Sequence, residues 1–261
     1  MSWTAVVWNM AHRSASWNAL GELSSDVALL NEASVPFPDG IDAVYEPGGT
    51  VGRDGYERPW TTAVVSPHGP RRIDDARPVS YRGRKPNVAF ESSRPGSWTA
   101  AVVPVPDAGD VTCVSLYGLL DELSEASLHR SMSELSPLFS DDRYRRHVLL
   151  GGDLNTGTQW PKGRHLEGDT ALLDRIKAYG PVDCLEKVRQ PGRLENCRCV
   201  FGEDCMHTWS RLDPNHPDIP FQVDYLFASP ALAERLKSCE ALSPPEWQRF
   251  SDHSPIVATF D

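Results

Sequence analysis

The sequence predicts an α+β domain running from residue 1 to residue 261. Three observations predict it. Short apolar runs of strand length recur along the chain, and several close on a carboxylate or an amide. Between them lie stretches whose apolar residues recur at helical spacing. No repeat, low-complexity tract or linker divides the chain, and its length suits one large sandwich or α/β domain.

Residues 3–9 read as a buried strand ending on Asn9, after which Ser14 or Ser16 can cap a helix reaching Leu23. Residues 27–32 form a second apolar run closing on Glu32. Two early strands around a helical stretch would deliver Asn9 and Glu32 to one edge. Glycine and proline dominate residues 36–59, which read as a long, substrate-facing loop. Residues 61–66 read as a strand, with shorter ones at 79–82 and 88–91. Residues 97–105 and 110–116 form an antiparallel pair around the turn Pro106-Asp107-Ala108-Gly109, leading to Tyr117. Leu128, Met132, Leu135 and Phe139 give an amphipathic helix over 124–139, whose last turn Pro137 should kink or shorten. A helix over 170–179 places Leu172, Leu173 and Ile176 on one face. Residues 186–220 are irregular. Residues 222–229 form a strand carrying Asp224, 230–236 a short helix, and 256–260 a last strand preceded by Ser251-Asp252-His253-Ser254.

The stretch His147-Val148-Leu149-Leu150-Gly151-Gly152-Asp153-Leu154-Asn155 organises the rest. Residues 147–150 read as a buried strand that the two glycines end. Period-two alternation then points Asp153 and Asn155 to one side, where they can hold a water beside an anionic oxygen. A polar turn with Asx hydrogen bonds to its own backbone is the other reading.

Composition narrows the function. A net charge of −10 and a pI near 5.3 argue against a broad, non-specific grip on duplex DNA. Two local clusters, Arg71, Arg72, Arg77, Arg82, Arg84 and Lys85, then Arg143, Arg145 and Arg146, hint at a phosphate-bearing substrate. No apolar run approaches the ~20 residues of a membrane span. The start lacks a secretory signal, so the expectation is a monomeric cytoplasmic protein with reduced or metal-bound cysteines.

Taken together, Val7-Trp8-Asn9, Leu29-Leu30-Asn31-Glu32, Ser115-Leu116-Tyr117-Gly118, Gly152-Asp153-Leu154-Asn155, Val223-Asp224-Tyr225-Leu226-Phe227 and Ser251-Asp252-His253-Ser254 resemble the endonuclease/exonuclease/phosphatase superfamily. The pieces span residues 7–254, and the fourth and last are the most specific. Asn31 departs from the glutamine usual in that family, though both are neutral amides. The resemblance implies a four-layer α/β/β/α sandwich, two mixed β-sheets packed face to face with outer helices. It also implies a metal-dependent phosphoesterase. Glu32 and Asp252 would hold Mg²⁺ or Mn²⁺, with Asn9 adding a neutral oxygen. Asp153 would activate water, and Asn155 would bind that water or a phosphoryl oxygen. His253, oriented and kept cationic by Asp224, would stabilise the pentacovalent phosphorus, and Tyr117 would donate to a non-bridging oxygen. A nuclease acting on DNA or RNA is the first expectation. A phosphatase or phosphodiesterase for a small or lipid phosphate is the alternative, and a non-catalytic binding module the third.

Residues 195–207 hold a separate pattern. Cys197, Cys199, Cys205 and His207, spaced C-x-C-x5-C-x-H in a segment poor in apolar residues, can wrap a structural Zn²⁺. Free or oxidised thiols, or a His207 that faces the active site, are the other readings. Cys113, Cys184 and Cys239 sit in apolar settings and read as core.

Overall fold

A computed structural model describes residues 2–46, 49–51, 55–77, 89–120, 124–160, 164–213, 215–242 and 244–261. The strand expected at 79–82, Val88, and Arg82, Arg84 and Lys85 lie outside these; residues 89–91, the rest of the strand expected at 88–91, are described and take no strand. In chain order the strands are β1 (Trp3–Asn9), β2 (Val27–Ser34), β3 (Ala43–Tyr45), β4 (Thr50–Val51), β5 (Glu57–Arg58), β6 (Trp60–Val65), β7 (Arg71–Arg72), β8 (Trp98–Val105), β9 (Gly109–Leu116), β10 (Val148–Asp153), β11 (Val182–Asp183), β12 (Arg211–Asp213), β13 (His216–Phe221), β14 (Asp224–Ala228), β15 (Leu236–Ala241) and β16 (Ile256–Phe260). The helices are α1 (Ala15–Glu22), α2 (Ser124–Ser140), α3 (Arg164–Ala178), α4 (Cys184–Val188), α5 (Pro230–Ala233) and α6 (Pro244–Trp247).

Two mixed six-stranded sheets form, in the orders β15-β16-β1-β2-β6-β3 and β11-β14-β10-β9-β8-β7. Alternation along each strand divides its side chains between two faces. Ala5, Val7, Leu29 and Val64 meet Ala101, Val103, Val111, Cys113, Leu149 and Leu226 between the sheets. The opposite face of the first sheet, Val6, Trp8, Ala28, Leu30 and Ala63, is covered by Trp17 and Leu20 of α1. The opposite face of the second, Val114, Leu116, Leu150 and Phe227, is covered by α2 and α3 through Leu128, Met132, Leu135, Leu172 and Ile176. The result is the expected sandwich of helix, sheet, sheet and helix.

Several expectations are corrected. The strand of the organising stretch does not stop at the glycines; β10 runs through them to Asp153. They act as spacers. A Cβ on Gly151 would lie 2.6 Å from Tyr225 O and 2.7 Å from Val7 Cγ2 of the facing sheet. Pro137 does not shorten α2, which reaches Ser140. The Ser133 carbonyl that loses the Pro137 N–H receives the Ser136 hydroxyl instead, at 2.8 Å. The segments 36–59 and 186–220 are not wholly irregular, since they contain β3, β4 and β5, then α4, β12 and part of β13. The helix expected at 170–179 begins earlier, at Arg164, and the one at 230–236 gives way to β15.

Candidate active site

Strand ends converge at one end of the sandwich. β1 and β2 run parallel with Asn9 opposite Asn31, and β10 and β14 run antiparallel with Asp153 opposite Asp224. Glu32 sits on a bulge of β2. Leu30 pairs with Ala63 and Ala33 with Thr61, so Asn31 and Glu32 oppose a single residue, and Glu32 takes a φ of 47°. A bulge of this kind re-aims a side chain at a sheet edge. Asn155 likewise has a φ of 48°.

One connected set of hydrogen bonds results. The Asn9 amide donates to Asp153 Oδ2 at 2.8 Å and to Glu32 Oε1 at 3.3 Å. The Tyr117 hydroxyl donates to the same Glu32 oxygen at 2.8 Å. The Asn155 amide donates to Asp153 Oδ2 at 3.2 Å and to Gly118 O at 3.0 Å. Asn155 N–H also donates to Asp153 Oδ1 at 2.8 Å, so the Asx turn exists alongside the paired side chains. The left-handed Asn155, rather than strand alternation, brings the two together. His253 Nδ1 lies 2.8 Å from Asp224 Oδ2, and its Nε2 lies 3.8 Å from Asp153 Oδ2.

Asp252 stands apart from this network. It is a third exposed, and Oδ2 lies 3.7 Å from Arg211 Nε. Asp153, Asp224 and His253 are buried, while Glu32, Asn155 and Asp252 are only partly so and form the solvent side.

Burial sets the protonation of the sealed groups. It raises the Asp153 carboxyl, against the pull of His253, to about 7. Burial alone would lower His253, but the carboxylates of Asp224 and Asp153 outweigh it and hold the imidazole at about 9. Burial and neighbouring Glu32 and Asp153 push the Tyr117 phenol far up, so it remains a donor.

Four supporting residues carried no readable sequence signal, or only a weak one. Asn31 is a crosspiece: its Oδ1 accepts Asp153 N–H at 2.6 Å, and its amide donates to Ser115 Oγ and Leu116 O. Ser210 Oγ donates to Asp224 Oδ2 at 2.9 Å. His12 Nδ1 lies 3.1 Å from Glu32 Oε2. Ser251, within the quoted Ser-Asp-His-Ser piece, donates to Asn9 O and receives His253 N–H.

Cys197, Cys199, Cys205 and His207 come together elsewhere, all buried. His207 turns Nδ1 to the thiols and Nε2 to Thr158, not to the polar site. All six cysteines are free, and Cys113, Cys184 and Cys239 are buried as expected.

No protein-family model matches the sequence, and no curated protein does. Solved structures do. An AP endonuclease from Archaeoglobus fulgidus is 20% identical over 99% of each chain, with a TM-score of 0.64. A 3′-5′ exonuclease (NExo) from Neisseria meningitidis is 18% identical over 99% of each chain, with a TM-score of 0.68. The AP endonuclease LMAP from Leishmania major is 13% identical over 99% of this chain and 87% of its own, with a TM-score of 0.64. Its two facing mixed sheets and these neighbours show that the chain has the fold that these endonucleases and this exonuclease share.

Proposed function

We propose that this chain is a divalent-metal-dependent phosphodiester hydrolase that cuts nucleic acid. The observation that supports it most is the buried Asp153, joined to Asn9 and Asn155 on one side and facing His253–Asp224 on the other. That sets a proton acceptor 3.8 Å from a cation. Asp153 takes a proton from the attacking water, and Asn155 orients that water or a phosphoryl oxygen. The His253 imidazolium faces the charge that develops on phosphorus-bound oxygens, and the Tyr117 hydroxyl would join it by turning from Glu32 Oε1.

The donor set fits a hard cation. Glu32 and Asp252 are carboxylates on the solvent side, which suits Mg²⁺ or Mn²⁺, while Asn9 turns its amide nitrogen to Glu32 and its oxygen to Ala11 N–H. Asp153, Asp224 and His253 are also close enough to share an ion. The His253–Asp224 hydrogen bond already engages that pair, so we assign the cation to Glu32 and Asp252, with Asn9 beside it. When bound it neutralises phosphoryl charge and assists the leaving oxygen.

Nucleic acid is favoured because the neighbours act on it, one 3′ phosphatase being bound to a product DNA hairpin. A small or lipid phosphate is favoured by the charge. Four arginines of the expected clusters are paired on the surface: Arg71 with Asp110, Arg72 with Glu46, Arg143 with Asp75 and Asp141, and Arg145 with Asp142. The second cluster also precedes β10, roughly 17 Å of strand from Asp153. A non-catalytic module is disfavoured, since every matched position holds a competent group and all but Asp252 lie within one network. Initial rates with Mg²⁺ on duplex DNA, single-stranded RNA, an inositol phosphate and a generic aryl phosphodiester separate the readings. The proposal expects kcat/KM highest on a polynucleotide; preference for the inositol phosphate would overturn the substrate assignment.

A further inference from the structure

We infer that Cys197, Cys199, Cys205 and His207 form a structural zinc site, separate from the phosphoesterase site. Three independent features carry this. The first is metric. For tetrahedral zinc with Zn–S of ~2.3 Å and Zn–N of ~2.0–2.1 Å, neighbouring sulfurs lie roughly 3.8 Å apart and sulfur and nitrogen roughly 3.5 Å. Cys197 and Cys205 Sγ are 3.7 Å apart, and they lie 3.5 and 3.3 Å from His207 Nδ1. All four ligand atoms fall within 4.8 Å of one another. The sulfurs are therefore too far apart for disulfides and spaced for an ion between them.

The second feature is orientation. His207 Nε2 is 2.8 Å from Thr158 Oγ1. Donating there keeps the Nδ1 lone pair toward the sulfurs, the arrangement a zinc-ligating histidine takes. The third is charge. Three thiolates around Zn²⁺ leave one negative charge, and two arginines grip the backbone of the ligand loop. Arg193 donates to Cys197 O and Cys199 O, and Arg189 to Cys205 O and Gly192 O.

Among the described residues Leu194 packs against the three cysteines and the Phe201 ring lies 6.0 Å from that of His207, so the segment has little hydrophobic core to hold it. A closed Cys₃His site supplies that restraint, and burial of all four ligands leaves no open position for substrate. The site also anchors Thr158, three residues beyond Asn155, and the chain that continues to Ser210 beneath Asp224.

The test uses the whole chain, purified without added metal. Elemental analysis is expected to give about one zinc per chain in the parent and in Cys113→Ser, whose thiol is buried elsewhere. Cys199→Ser is expected to lose that zinc and unfold at lower temperature. If Cys199→Ser cannot be recovered folded, cobalt exchanged into the parent provides the second measurement. It should show thiolate charge-transfer and tetrahedral ligand-field bands. No zinc in the parent, full retention of zinc by Cys199→Ser, or cobalt spectra without thiolate bands would each overturn the proposal.

Discussion

Asp153 and His253 owe their chemistry to burial acting on groups of opposite charge. With the carboxyl raised to about 7 and the imidazole held at about 9, the interval between them is where base and cation coexist. We therefore expect kcat to fall on the acid side as Asp153 gains a proton, with a nearby cation shifting that limb downward. On the alkaline side it falls as His253 loses one, near 9. Asp224→Asn removes the chief charge that supports the imidazolium and should move the alkaline limb toward ~6.5. An unmoved limb would mean that His253 does not set it. The sign for stability follows. The raised His253 stabilises the native state fully below ~6.5, its unfolded value, and that contribution fades as pH rises through about 9. Asp153→Asn and His253→Ala should each lower kcat by ~10²-fold or more with the fold intact by circular dichroism. A loss confined to KM would assign them to binding. The eight polar residues at strand ends were legible because each closes, opens or adjoins an apolar run within a motif that resembles a known family. Ser210 was not, since a lone serine after Thr208-Trp209 has no pattern to distinguish it from surface.

At the scale of elements, the sandwich closes on the site because β10 carries glycine where others carry side chains. A Cβ at Gly152 would lie 1.8 Å from Leu116 O and 2.6 Å from Asn31 Oδ1, and φ there is +151°. Gly152→Ala should therefore cost roughly 3 kcal/mol or more, read as a lower denaturant midpoint. A midpoint like the parent's would show that β9 and β10 can separate without loss. The strands with continuous apolar runs and the helices with periodic leucines were legible, because burial on one or both faces writes itself into the sequence. β15 was not: Lys237, Ser238 and Glu240 are exposed on an edge strand, so a polar run stood where a strand lay. The β12–β13 hairpin contains Pro217 and Pro220, which weaken any strand pattern.

Across the whole molecule, charge and site chemistry point in different directions. The chain is acidic, and the arginines of its two clusters are largely answered by neighbouring carboxylates among the described residues. Few phosphates are then neutralised at once. For a polynucleotide substrate, the plot of log kcat/KM against log salt should have a slope no steeper than about −3, given ~0.9 per phosphate contact on duplex DNA. A much steeper slope would reveal a basic groove that these pairings do not leave. No helix among the described residues is long and apolar enough to cross a membrane. The central claim, hydrolysis of a phosphodiester at the Asp153 site with a divalent cation, is tested most directly by one assay. Hydrolysis of a generic phosphodiester is followed in excess chelator and again after Mg²⁺ or Mn²⁺ is restored, for the parent and Asp153→Asn. The account predicts activity that vanishes with chelator, returns with the cation in the parent, and stays low in the variant. Full parental activity in excess chelator would contradict it.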